Sequence, residues 1–184
     1  MATLNATNLK HASSGSNNIV LASDGSTTIS NLSGGVGKIL QVVQTIKTDA
    51  FTTTSTSLTD ITGLSVDITP SSSSSKILVY SSVDAYVQRT NSYNAAGFFI
   101  LLRGSTGLQG VHMRGRIDNS DTANIFLAGG NAVMSYLDSP ATTSAVTYKV
   151  QCRNWTSSQT ISVNEQTGSN YFSKSTIIAQ EVAA

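Results

Sequence analysis

The chain has 184 residues, a formal net charge of +1 and only 11% charged residues, less than half of the roughly 25% usual in soluble domains; Ser and Thr fill roughly a quarter to a third of it. So small a net charge gives no basic stripe for nucleic acid, and polyanion binding is not expected. No apolar run approaches the roughly 20 residues of a membrane helix, and the opening "MATLNATNLKHASSG" lacks the apolar centre of a secretory signal, so synthesis in a cytoplasm without membrane insertion is expected.

Residues 1–35 carry Leu4, Leu9, Ile19, Val20, Leu21, Ile29 and Leu32 spaced among small polar residues, with Asp24 and Gly25 in "ASDGST" (22–27) where a tight hairpin would want them. This is a string of very short strands that buries too little apolar surface to offset its ordering entropy alone. It reads as an extended arm that wraps identical copies or docks on another protein, or else as a flexible tether. "SGGVG" (33–37) is its hinge to the domain at 36–184, since glycine tolerates backbone angles that other residues avoid.

From Lys38 onward, runs rich in Val, Ile, Tyr, Phe and Thr recur between Gly, Asn, Asp and Ser clusters, which is the strand-and-turn signature of an all-β domain. The expected strands are 38–46, 63–69, 76–88, 97–104, 108–115, 123–129, 132–138, 146–154, 159–165 and 175–182. "TPSSSSSK" (69–76) reads as an exposed loop, because Pro70 cannot serve a central strand. In "VTYKVQCRN" alternation places Val146, Tyr148, Val150 and Cys152 on the core face. "GFFILLRG" is apolar on both faces and suggests a subunit interface through Phe98, Phe99 and Leu101. Eight to ten strands over about 145 residues fit an antiparallel β-sandwich of jelly-roll type better than an immunoglobulin-like one of about 100 residues.

Candidate chemistry is sparse. His11 and His112 lie far apart without metal-ligand spacing and read as structural. The lone Cys152 cannot form an internal disulfide and reads as a buried strand residue. Asp60, Asp67, Asp84, Asp118, Asp121 and Asp138 are scattered, and a carboxylate pair for glycoside cleavage is not expected among them. No catalytic residue, metal or cofactor is assigned. Two polar segments are suited to recognition: 88–97 with Arg89, Asn91, Tyr93 and Asn94, and 153–159 with Asn154 and Trp155, the only Trp. An aromatic ring flanked by amides suits a sugar ring, while the same Trp155 also fits a subunit interface or core plug. "HMRGR" (112–116) places His112, Arg114 and Arg116 on one strand face, read as a solvated edge that blocks sheet-to-sheet aggregation or as intersubunit partners for Asp118 or Asp121.

The "NNIVLASDGSTTISNL" leader, "GKILQVVQTIKTDAFTTTSTSLTDITGLSVDITPSSSSSKILV", "TYKVQCRN" and the terminal "STIIAQEV" together resemble short fibre and adhesin proteins of tailed bacteriophages, over nearly the whole chain. The resemblance implies a homotrimer with jelly-roll heads, similar in architecture to complement-type and tumour-necrosis-factor-like trimers. It also implies N-terminal segments that attach to other virion proteins, and a place on the outer surface of the virion as a tail or head appendage. The expected function is therefore a non-enzymatic structural protein that contacts a host surface glycan or protein. The alternative is a free carbohydrate-binding or complement-like module.

Overall fold

The computed structural model describes residues 8–9, 13, 19–21, 23, 27–29, 38–90, 94–116, 125–165 and 173–183. The chain divides into two compact units, Met1–Gly37 and Lys38–Ala184. In the first, β1 (Asn8–Leu9), β2 (Ile19–Leu21) and β3 (Thr27–Ile29) form an antiparallel sheet in that order, with Val20 opposite both Asn8 and Thr28. Leu9, Ile19, Val20, Leu21 and Ile29 thus sit in the short strands expected of them. Leu4, Leu32 and the glycine hinge lie outside the described residues.

The second unit is all antiparallel β: β4 (Ile39–Lys47), β5 (Phe51–Thr53), β6 (Thr59–Ile68), β7 (Lys76–Thr90), β8 (Asn94–Arg103), β9 (Thr106–Arg116), β10 (Ile125–Asp138), β11 (Val146–Asn154), β12 (Gln159–Val163) and β13 (Ser175–Val182). β7 runs the length of one sheet. Along one side it pairs with β10; along the other it pairs with β13 over Lys76–Ser82 and with β12 over Ala85–Arg89. β4 then flanks β13, and β5 flanks β12. The second sheet has the order β6-β11-β8-β9.

Counting the broken pairs β4/β5 and β12/β13 as single positions leaves eight strands, and the first pairs with the eighth, the second with the seventh, the third with the sixth and the fourth with the fifth. That is one long hairpin rolled into two four-stranded layers, the connectivity of a jelly roll. Alternation along each strand then fills the space between layers. Val79, Val83, Val87, Phe99, Leu101, Met134, Tyr148, Val150, Cys152, Ile161 and Ile177 are among the side chains with no exposure.

The layers are also tied by polar groups. Tyr148 of β11 donates from its hydroxyl to Asp138 at the end of β10 (2.7 Å), and the Arg103 guanidinium at the end of β8 holds both oxygens of the same carboxylate at 3.0 and 2.8 Å. Elsewhere Gln109 of β9 accepts from the Ser135 N–H of β10 (2.8 Å). Where β12 gives way to β13, Asn164 adopts a positive φ of 52°. Its amide donates to the Lys47 carbonyl (2.9 Å) and accepts from the Ser175 hydroxyl (2.7 Å), which caps the break in the sheet.

Three expectations change. The segments 123–129 and 132–138 are one strand, because β10 stays in register with β7 straight through Gly129 and Gly130. A short β5, too brief to show alternation, lies between β4 and β6. The loop 69–75 is not simply exposed: Pro70 and Ser75 are buried, and Ser71 donates from its N–H and hydroxyl to the buried Glu181 carboxylate at 2.8 and 2.7 Å. The serine run wraps a carboxylate on β13.

Candidate functional site

At one end of the β6-β11-β8-β9 sheet the outer face is shaped by register. Ala96 on β8 lies opposite Arg114 on β9, and the chain leaving β11 places Trp155 on the other side, its N–H donating to the Ala96 carbonyl (3.2 Å). Arg114 and Trp155 thus stand two strand spacings apart, about 10 Å, with the small Ala96 as the floor between them. The next row inward is His112, Phe98 and Arg153. Phe98 and His112 rings lie 4.7 Å apart, and the Arg153 guanidinium stands 5.6 Å from the centre of the Phe98 ring. The row beyond is Asn94 and Arg116.

The result is a cleft of about 500 Å³ bounded by Asn94, His112, Arg114, Arg116, Trp155 and Gln159, within the usual range for small-molecule sites. Trp155 is 65% exposed, a large ring held by its backbone and left open on its face. Behind it, the buried Gln159 is placed to bond both backbone groups of Ala96, at 2.8 Å from the carbonyl and 3.1 Å from the N–H. Arg89 of β7 donates to the Asn94 side chain (2.7 Å) and so supports the start of β8. Among the described residues no carboxylate lines the cleft.

The residues singled out from sequence divide accordingly. Asn94 and Trp155 come together in the cleft, and Arg89 supports it from behind. Asn154 does not belong to it: the residue points inward with no exposure, and its amide donates to the Thr53 carbonyl (2.8 Å), holding the chain after β5. Asn91 and Tyr93 lie outside the described residues. Of the interface candidates, Phe99 and Leu101 have no exposure and belong to the core of the single chain, so they face no partner. Phe98 is half-buried on the outer face between His112 and Arg153. The contribution of His112, Arg114 and Arg116 to a cleft was missed. Their alternate spacing was visible, but only the pairing of β9 with β8 sets them across from Ala96 and Trp155.

The described aspartates each have partners of their own. Asp60 binds Lys149 and Gln151 (2.9 and 2.7 Å), Asp67 accepts from Thr147 (2.5 Å), and Asp84 accepts from Ser173. Asp138 belongs to the Tyr148 and Arg103 tie, while Asp118, Asp121 and His11 lie outside the described residues. The Lys149 ammonium and the Gln151 amide hold the Asp60 carboxyl below its usual range.

No family model matches the chain, and no curated protein matches it significantly in sequence. Among solved structures it is distantly similar to dimeric latent PorU from Porphyromonas gingivalis, at 10% identity and a TM-score of 0.36, over 81% of this chain and 14% of that one. It is also similar to the T13 particle of infectious bursal disease virus, at 17% identity and a TM-score of 0.30, over 79% of this chain and 38% of that one. The VP2 subviral particle of the same virus compares at 16% identity and 0.28, over 77% and 39%. The chain therefore spans well under half the length of each of these proteins.

Proposed function

We propose that the protein is a non-enzymatic structural protein of a bacteriophage virion, an appendage whose jelly-roll heads assemble as a homotrimer and whose N-terminal unit attaches it to other virion proteins. The observation that carries this reading is the outer face of the β4-β13-β7-β10 sheet. By register, Val42, Gln180, Leu78 and Leu137 form one row across it, and Ile46, Thr176, Ser82 and Val133 another, with Tyr80 and Ile178 between. Val42, Ile46, Leu78, Tyr80, Val133 and Leu137 are all exposed in the single chain. Six large apolar side chains left exposed on one sheet face favour an interaction site, and copies of one chain closing around an axis cover such a face without an open end.

The sequence resemblance to short phage fibres supports the virion and the trimer, and the cleft at the end of the other sheet supports contact with a host surface. The same cleft favours a second reading, a free carbohydrate-binding module. Particles purified through a density gradient separate the two when probed with antibody to residues 38–184: the protein co-sediments with particles if it is an appendage. Its presence only in the soluble fraction would overturn the virion reading.

A further inference from the structure

We propose that the cleft between Trp155 and Arg114 binds a sugar residue carrying an anionic substituent, a carboxylate or a phosphate. This deepens the host-contact part of the function above and rests on it. The open Trp155 face suits the apolar face of a pyranose, as aromatic rings with a wet side do at interfaces. Across the Ala96 floor stands the Arg114 guanidinium, whose planar fork matches a carboxylate or phosphate with two parallel hydrogen bonds.

Position and charge point the same way. The backbone positions of the two residues are about two strand spacings apart, so a ring stacked on Trp155 directs a substituent toward Arg114. His112, which also lines the cleft, supplies a side chain for the ring hydroxyls. Among the described residues no carboxylate lines the cleft, so an anionic substituent that reaches Arg114 meets the guanidinium with opposite charge and two hydrogen bonds, where a neutral hydroxyl offers one.

Trp155 is the only tryptophan, so its fluorescence reports on this cleft alone. The full-length protein is titrated with trigalacturonate, mannose 6-phosphate and maltotriose. A saturable change is expected with one or both anionic sugars, and which of them responds identifies carboxylate or phosphate as the preferred group. Maltotriose is expected to bind at least about tenfold more weakly, as for loss of a charge-assisted hydrogen bond.

Arg114→Gln should weaken the anionic ligand roughly tenfold to a hundredfold, with Arg114→Lys intermediate because it keeps charge without the fork. Trp155→Ala, followed by calorimetry, should abolish binding while the far-UV spectrum and oligomeric state stay as in the parent. Equal binding of neutral and anionic sugars, no response to either anion, or an Arg114→Gln protein that binds like the parent would each overturn the proposal. If the protein is found on particles and yet ignores anionic sugars, this inference fails and the virion reading stands. If it binds anionic sugars and is absent from particles, the cleft assignment stands and the virion reading fails.

Discussion

A Cβ on Gly110 would stand 2.5 Å from Cζ of Phe98, and one on Gly107 would stand 2.9 Å from Cδ1 of Ile100. The outer side chains of β8 therefore lie across the glycines of β9 instead of projecting from the sheet. This accounts for an apolar pattern on both faces of β8 without a subunit partner at Phe99 or Leu101, which fill the core. Residue identities in β8 were legible, but the glycines that accommodate them are on another strand, and pairing is not written in either strand alone. Cys152 was legible, since alternation alone places it inward. Burial pushes its thiol up to about 12, leaving little thiolate at neutral pH. Native protein should accordingly show no reaction with Ellman's reagent over an hour at pH 8, while one thiol per chain should react in denaturant. Rapid native labelling would show that the strand is open to solvent.

Strands with strict alternation were read correctly end to end: "VTYKVQCRN" and "STIIAQEV" match β11 and β13 residue for residue. β10 was divided because Gly129-Gly130 carries a turn signal, and the unbroken pairing with β7 overrides it. Polar ties between elements were not legible, because they join residues distant in the chain. At the Tyr148, Asp138 and Arg103 tie, removing the hydroxyl deprives a nearly buried carboxylate of one donor while the guanidinium remains. Tyr148→Phe should then cost about 1–2 kcal/mol in urea unfolding, with an unchanged m-value if the native fold is kept.

The serine loop makes a pH-dependent tie. Donation from Gln41 and Ser71 lowers the Glu181 carboxyl from 4.5 to about 2. The folded state thus holds fewer protons than the unfolded chain between those values. The stabilisation is full above about pH 4.5 and is lost as pH falls toward about 2. Glu181→Gln should lower stability at pH 7 and flatten the decline between pH 4.5 and 2 in thermal melts. An acid limb as steep as the parent's would assign the acid sensitivity to other carboxylates.

In the unit Lys38–Ala184 as a whole, the apolar surface and the cleft belong to different sheets and toward different ends of the strands. Tyr80 and Leu78 lie near the start of β7, whereas Arg89 near its end supports Asn94 of the cleft. Assembly through the first can therefore leave the second open in every copy. In the trimer proposed above, three weak sites, with several such trimers on one particle, would raise avidity by roughly 10²–10⁴ over a single cleft when the spacing permits simultaneous contact. Leu78 and Val133 are exposed in the single chain, so charges there should leave the monomer folded while placing uncompensated carboxylates inside any interface, a cost of several kcal/mol. The Leu78→Glu, Val133→Glu double variant is expected to run as a monomer in multi-angle light scattering at micromolar concentration, against a trimer for the parent, with Trp155 fluorescence unchanged. Phe98→Ala, on the other sheet, should remain trimeric. A trimer that survives both glutamates and dissociates with Phe98→Ala would move the interface to the β8 face, and a monomeric parent would remove the avidity argument with it.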